Sequence, residues 1–369
     1  MLALLGALIG SFANVVIYRA PRGESVVFPG SHCPSCNHAL GALELVPVLS
    51  WAALGARCRV CKVGISARYP VVELLMALGF FVLALRFPLE LYGPTVLPLL
   101  ALFALLVMLA LIDLDTQLLP DALTFPALAL ALAGTLLYAP ESGLPTPLGA
   151  LYAACLGAGV LVLLNRLGAL ALRRFADTRE RLWPLGMDQV GLAALLGTFG
   201  WPFGFAGAAA SLALNALTRR PLRLPEPPLY GGWLVLLGVL SVLLPDPLAA
   251  VSGSLVAAGG AALVGALYWW LHDLNDPPAD EPTQADDEPV AMGFGDVKLA
   301  AVLGALLGVQ NLLVALLLAF VFGALSGLVV KALGGGRVVP FGPYLVLGAL
   351  VALVYGTPLA AWYLGVLGV

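Results

Sequence analysis

The sequence predicts an all-α protein that crosses a membrane many times, and composition, charge and apolar run length all indicate this fold class. Of the 369 residues, 61% are hydrophobic and only 11% are charged, and the mean hydropathy is +1.00. A soluble domain needs a charged shell that this composition does not supply. Apolar runs of membrane-spanning length recur along the chain, so we expect the lipid bilayer to surround it. The sequence has no basic stripe or basic helix, so we expect no nucleic acid as a partner.

The first apolar run and the polar segment after it predict an orientation. Residues 1–18 lack a basic leader and a small-residue cleavage site, so we interpret them as a retained transmembrane helix. Residues 19–70 contain six Arg and Lys against two Glu. An excess of positive charge in a short loop indicates the cytoplasmic side.

Further apolar helices follow, and the loops between them agree with this orientation. We predict helices at 71–86, 95–112, 124–139 and 148–172. By counting spans, the basic loops at 173–181, 219–223 and 331–337 fall on the cytoplasmic side, whereas the loops at 139–146 and 244–247 carry almost no positive charge. The acidic, proline-containing segment at 272–290 is typical of a flexible loop.

An internal repeat divides the second half of the chain. Residues 186–197 (GMDQVGLAALLG) align with residues 293–304 (GFGDVKLAAVLG), which predicts a duplicated unit of four helices over 124–218 and 226–332. Chance similarity between Leu-, Ala- and Gly-rich helices is the alternative. Gln189 and Gly191 stand in the first copy where Asp296 and Lys298 stand in the second. We therefore expect an inserted, non-catalytic unit over 124–225, and a unit with the acidic loop and an active motif over 226–369.

Two aspartates lie at predicted membrane boundaries. Asp113 ends the apolar helix within 71–123, and Asp296 opens a later one with Gly293, Gly295 and Lys298 around it as supporting residues. Ionisable groups at membrane depth are costly and are functional candidates by default. Two carboxylates that share one proton supply the general base and general acid that hydrolysis of a peptide bond needs. Each aspartate taken alone also fits a helix cap.

Four of the five cysteines form two C-x-x-C pairs within residues 19–70, Cys33 with Cys36 and Cys58 with Cys61. This spacing in one polar loop predicts a structural Cys₄ zinc site. Disulfides or free thiols are the alternatives, and a reducing cytoplasm disfavours the disulfides. Flanking His32 and His38 are spare candidate ligands.

Together these motifs resemble the type IV prepilin peptidase family, the leader peptidases and N-methyltransferases with a G-x-G-D motif. The matching text is 10–19 (GSFANVVIYR), both C-x-x-C pairs, 65–70 (ISARYP) with Glu73, 112–121 (IDLDTQLLPD), the G-x-G-D at 293–296, and 339–344 (VPFGPY). The resemblance covers 1–135 and 245–369 and leaves the central insertion outside. It implies catalytic roles for Asp113 and Asp296, and prepilins or pseudopilins as protein substrates.

The resemblance also implies a location in the inner membrane and a second activity. After cleavage on the cytoplasmic side, the new N-terminal residue would be methylated with S-adenosylmethionine. The resemblance implies a layout of eight transmembrane spans. The duplication adds four helices to it, which predicts about twelve spans, or about ten together with half-helices. The chain has no glycine-rich nucleotide fingerprint, and Asn14, Arg68, Glu73 and Tyr69 are the candidate methyl-donor residues, each of which also fits a cap or packing role.

Three other functions are compatible with these motifs. One is a peptidase that lacks methyl transfer, and another is an assembly scaffold without activity. The third is a proton-coupled transporter with two repeated halves. A transporter of that kind is expected to keep acidic groups in both halves, whereas the first copy here has Gln189 at the aspartate position.

Overall fold

The structure is a computed structural model that describes residues 1–171, 186–218, 224–243, 245–275, 293–334 and 340–367. These residues form helices and turns, and their only extended pairing is two isolated bridges. The predicted all-α class is confirmed. The α-helices are α1 Leu2–Arg19, α2 Leu49–Ala53, α3 Arg68–Arg86, α4 Leu89–Tyr92, α5 Val96–Thr116, α6 Asp121–Gly134, α7 Pro147–Ala171, α8 Met187–Gly197, α9 Trp201–Thr218, α10 Glu226–Leu243, α11 Pro247–Asn275, α12 Phe294–Ala332 and α13 Gly342–Leu367.

Eight segments of the described chain are long and apolar enough to cross a membrane, so the protein is a multi-pass membrane protein. The predicted number of about twelve spans is not confirmed. Two features contribute to the difference. α8 has 11 residues and would be only about 16 Å long, against a hydrocarbon thickness of about 30 Å. α12 is one continuous segment of 39 residues, but Gly308 breaks its helical geometry with φ 72° and ψ 174°.

The chain divides into two compact units. The first comprises Met1–Leu144 with Val321–Leu347, and the second comprises Pro145–Phe320 with Gly348–Val369. In the first unit α5 contacts α1, α3 and α6, and its Leu102, Leu106 and Leu109 are fully buried. In the second unit α11 contacts α7, α8, α9 and α10.

Glycines bring the helices of each unit into close contact. An added Cβ would lie 2.5 Å from the Met76 carbonyl oxygen at Gly6, and 2.7 Å from the Glu73 Cα at Gly10, so α1 packs directly on α3. In the second unit, an added Cβ at Gly259 would lie 1.9 Å from the Cys155 carbonyl oxygen. Small residues at these positions are what close packing of helices in lipid requires.

The helix order agrees with the predicted repeat. Short α8 is followed by Gly200, at φ 124°, and then by the longer α9. The part of α12 before Gly308 is likewise short, and a longer part follows it. Long α7 and long α11 precede these short helices in the two copies. The duplication itself stays a prediction.

The predicted orientation depends largely on loops outside the described residues. These loops are 173–181, 219–223 and 335–337, and the acidic residues 276–290 also lie outside. The cytoplasmic placement of the loops therefore stays a prediction.

Candidate active site and metal centre

Asp113 lies in the last turn of α5. This helix continues to Thr116 and ends there because Gln117 adopts a left-handed φ of 55° and donates its N–H to the Asp113 carbonyl oxygen at 2.9 Å. The predicted helix end at residue 112 is therefore four residues early. Asp113 is only 5% exposed. Its side chain is thus held at the end of an apolar helix and away from bulk solvent.

The Asp113 carboxylate accepts a hydrogen bond from the backbone of the C-terminal helix. The Gly342 N–H donates to Asp113 Oδ2 at 3.0 Å, and the bond is buried. Gly342 is the first residue of α13, and both residues belong to the first unit. The sequence places Gly342 in a family-like motif, but it gives no sign of this contact.

Arg68 contacts the same end of α5. Its guanidinium donates two hydrogen bonds to the Asp115 carboxylate, from Nη1 to Oδ1 at 2.9 Å and from Nη2 to Oδ2 at 2.5 Å. The two side chains are 43% and 37% exposed, so water screens the pair and its contribution to stability is small. The contact connects the start of α3 to the last turn of α5, two residues beyond Asp113.

Asp296 lies in the first turn of α12, in the second unit. Its N–H donates to the Gly293 carbonyl oxygen at 3.2 Å. Asp296 and Lys298 are each 8% exposed, and Gly293 leaves the space beside the carboxylate open, since an added Cβ would lie 3.9 Å from Asp296 Oδ2. The positive end of a helix dipole favours a negative charge at such a position. The pairing of Asp296 with Asp113 stays a prediction.

In the first copy, Gln189 takes the place of Asp296 and acts as a helix cap. Its Oε1 accepts the Gly186 N–H at 2.6 Å, and its Nε2 donates to Asp188 Oδ2 at 3.0 Å. Gln189 is 1% exposed. An amide in this arrangement neither ionises nor shares a proton as a carboxylate does, which agrees with the non-catalytic role expected for this copy.

The four cysteines of the two C-x-x-C pairs form one cluster. Their sulfur atoms all lie within 4.8 Å of one another, with Cys33 Sγ at 3.7 Å from Cys61 Sγ and Cys36 Sγ at 3.9 Å from Cys58 Sγ. Tetrahedral zinc with Zn–S bonds of about 2.3 Å requires sulfurs about 3.8 Å apart. The donor set and its spacing therefore fit zinc.

Each of the two C-x-x-C pairs lies in a turn, and the two turns are of the same kind. The Asn37 N–H donates to the Cys33 carbonyl oxygen at 2.9 Å, and the Lys62 N–H donates to the Cys58 carbonyl oxygen at 3.1 Å. Asn37 and Lys62 both have positive φ, 55° and 60°. Antiparallel bridges join the strand-like arms on either side of each turn, His32 to Ala39 and Arg57 to Gly64. The two halves of the cluster are thus built alike.

Backbone N–H groups act unequally on the sulfurs. Those of Cys61 and Val60 lower the pKa of Cys58 to about 6, so this thiol is already ionised at neutral pH. At Cys36 the backbone bond from His38 favours the thiolate, but burial and the neighbouring sulfurs outweigh it and raise the pKa to about 11. The His38 ring lies 3.2 Å from Glu44 Oε2, so that carboxylate already engages it.

The polar residues considered for methyl transfer have structural contacts. The buried Glu73 accepts the Val48 N–H at 2.7 Å through Oε2, which fastens the cysteine-containing segment to α3. Asn14 Nδ2 donates to the Tyr69 carbonyl oxygen at 3.3 Å, and Arg68 pairs with Asp115. A role of Asn14, Arg68 or Glu73 in binding S-adenosylmethionine stays a prediction.

Two family profiles match the chain. The profile described as "Bacterial Peptidase A24 N-terminal domain" matches residues 4–87, and the one described as "Type IV leader peptidase family" matches residues 100–217 and 223–328. The chain belongs to this family. The resemblance inferred from the motifs is therefore confirmed, but the expected coverage was too narrow, because the match includes most of the central region that was left outside it.

Individual relatives of this leader peptidase family member agree with that assignment. It is 30% identical over 389 residues to "Prepilin leader peptidase/N-methyltransferase" of Aeromonas salmonicida, covering 98% of this chain and 92% of that protein. A protein of the same name from Myxococcus xanthus is 42% identical over 201 residues, and this match spans only about half of each, 54% of this chain and 55% of the relative. "Type 4 prepilin-like proteins leader peptide-processing enzyme" of Escherichia coli is 36% identical over 222 residues, which is 55% of this chain and 77% of that protein. No solved structure matches the chain.

Proposed function

We propose that this protein removes the leader peptide of type IV prepilins or pseudopilins and then methylates the new N-terminal residue. The observation that carries the proposal is the membership of the leader peptidase family, with 98% of the chain matched to a relative named for both activities. The motif aspartates, both buried at helix ends within apolar segments, support the same activity. The enzyme is thus a peptidase with a second, methyltransferase activity.

For the peptidase step, Asp113 and Asp296 act as the catalytic pair. One carboxylate accepts a proton from water as the water oxygen bonds to the scissile carbonyl carbon. The other, protonated carboxyl donates its proton to the carbonyl oxygen, which gives a tetrahedral intermediate. When the C–N bond breaks, the carboxyl that took the water proton gives it to the leaving amine, and the other carboxylate recovers its proton from the hydroxyl as the carbonyl forms again. Gly293 and Gly295 leave room for a substrate backbone beside Asp296, and Lys298 is a supporting residue.

For the methyltransferase step, S-adenosylmethionine supplies the methyl group. Asn14, Arg68 and Glu73 are the candidate residues, and each already has a protein partner. These contacts already engage the polar groups, and the binding of S-adenosylmethionine by these residues stays a prediction.

We further propose zinc as the metal of the cysteine cluster. Cys33, Cys36, Cys58 and Cys61 would each supply a thiolate, and the fully coordinated ion leaves no open position for chemistry. Its role would be structural, because a loop with little core needs a cross-link to hold its shape. The Glu73 contact to Val48 would transmit that order to α3.

The proposed topology completes this function. The zinc loop and both aspartates face the cytoplasm in the inner membrane, where prepilin leaders are accessible. The first repeat copy is a non-catalytic unit over 124–225, and its short helices are half-spans, so that the number of full spans is about ten with half-helices.

Co-expression with a prepilin tests the function directly. Mass analysis of the pilin is expected to show loss of the leader and a gain of one methyl group at the new N-terminus. A pilin that keeps its leader in the presence of the wild-type protein would contradict the peptidase assignment. A cleaved but unmethylated pilin would contradict only the second activity.

A further inference from the structure

The first turn of α13 presents one backbone donor to the Asp113 carboxylate. The first N–H groups of a helix have no partner within the helix. Here Pro343 has no N–H, and the Tyr344 N–H bonds the Phe341 carbonyl oxygen at 3.0 Å. The Gly342 N–H is therefore the donor left for another group, and it bonds Asp113 Oδ2 at 3.0 Å.

Gly342 also has no side chain where one would collide with that carboxylate. An added Cβ would lie 2.6 Å from Asp113 Oδ2 and 3.2 Å from its Cγ, whereas ordinary contacts are 3.4–4 Å. The backbone of Gly342 is not in the left-handed region, so its conformation does not require glycine. The requirement for glycine comes from the closeness of Asp113.

The turn that contains Gly342 is fixed from its other side. The Tyr344 hydroxyl donates to Ser326 Oγ on α12. The Phe341 and Tyr344 rings both approach Gly323, where an added Cβ would lie 3.6 Å from the first ring and 3.7 Å from the second. All these residues belong to the first unit, so the donor is held in place before any substrate binds.

From this geometry we propose that Gly342 is a positioning residue of the peptidase, whose N–H orients the Asp113 carboxylate and whose missing side chain leaves room for it. The bond holds Oδ2, so Oδ1 is the oxygen directed to water or substrate. The proposal rests on the proposed function.

Gly342→Ala tests this role. To relieve the contact, the carboxylate must move by about 0.8 Å (3.4 − 2.6). Because a misplacement of about 1 Å costs on the order of 100-fold in rate, we expect kcat for cleavage of a purified prepilin to fall on the order of 100-fold. KM is expected to stay within about twofold, because Gly342 contacts the carboxylate and not the substrate.

Two controls separate positioning from folding and from the proposed function. Gly327→Ala, in the same unit and with nothing within 4 Å of the added Cβ, is expected to cleave like wild type. The Gly342→Ala enzyme is expected to methylate an already cleaved pilin at the wild-type rate with S-adenosylmethionine. If Gly342→Ala cleaves within about threefold of wild type, or loses cleavage and methylation equally, the positioning role is wrong. If wild type itself does not cleave, the proposed function fails instead.

Discussion

Zinc binding by the cysteine cluster should depend steeply on pH, and the two perturbed thiols set a lower limit to the effect. Between pH 6 and pH 11, Cys58 with a pKa of about 6 is ionised and Cys36 with a pKa of about 11 carries a proton. Zinc binds thiolates, so these two groups alone release one proton and lower the affinity about tenfold per pH unit on going from pH 8 to pH 7, and any proton released by Cys33 or Cys61 adds to this slope.

Below pH 6 the dependence steepens. Cys58 then also carries a proton, so these two groups release two protons and their share of the fall in affinity becomes about 100-fold per pH unit. Competition with a chromophoric chelator, together with metal analysis of the purified protein, measures both slopes. We expect about one zinc per chain near neutral pH. Cys58→Ser should lose the metal, and Cys155→Ala, at the cysteine in α7 outside the cluster, should keep it. An affinity independent of pH, or a Cys58→Ser protein that retains zinc, would refute the reasoning.

Two further predictions concern helix packing and the loop anchor. Gly259→Leu places a Cβ 1.9 Å from a carbonyl of α7, so the helices must separate by about 1.5 Å (3.4 − 1.9), whereas the added Cβ of Gly238→Leu has nothing within 4 Å. We expect Gly259→Leu to lower the unfolding free energy by roughly 1–3 kcal/mol or to abolish folding, as measured by thermal denaturation in detergent, and equal melting of both variants would contradict this packing. Glu73→Leu leaves the Val48 N–H without its acceptor and should cost roughly 1–3 kcal/mol, whereas Glu73→Gln keeps an acceptor oxygen. Limited proteolysis of the loop should distinguish the two, and identical digestion patterns would show that the bond does not hold it.

Local sequence patterns predicted much of this molecule. The four cysteines of two C-x-x-C pairs are brought together, and Asp113 and Asp296 lie at apolar helix ends. Each of these features depends on residues close together in the chain, where spacing and helix periodicity act directly. The fold class follows from composition in the same way.

Contacts between distant residues could not be predicted. The bond between Gly342 and Asp113 joins residues 229 positions apart. Its donor is a backbone N–H, which every residue except proline has, so the residue type does not reveal it. The Val48 contact of Glu73 is likewise non-local. The predicted span number is not confirmed, and the break of α12 at Gly308, which has a positive φ, is a backbone feature that the composition of the segment does not show.

Leader cleavage by single aspartate variants tests directly whether Asp113 and Asp296 form a catalytic pair. Asp113→Asn and Asp296→Asn each keep the shape of the side chain but remove the ionisable group. We expect each variant to be inserted in the membrane at wild-type levels and to release no mature pilin, as measured by mass analysis of a co-expressed prepilin. Normal leader removal by either variant would contradict this expectation.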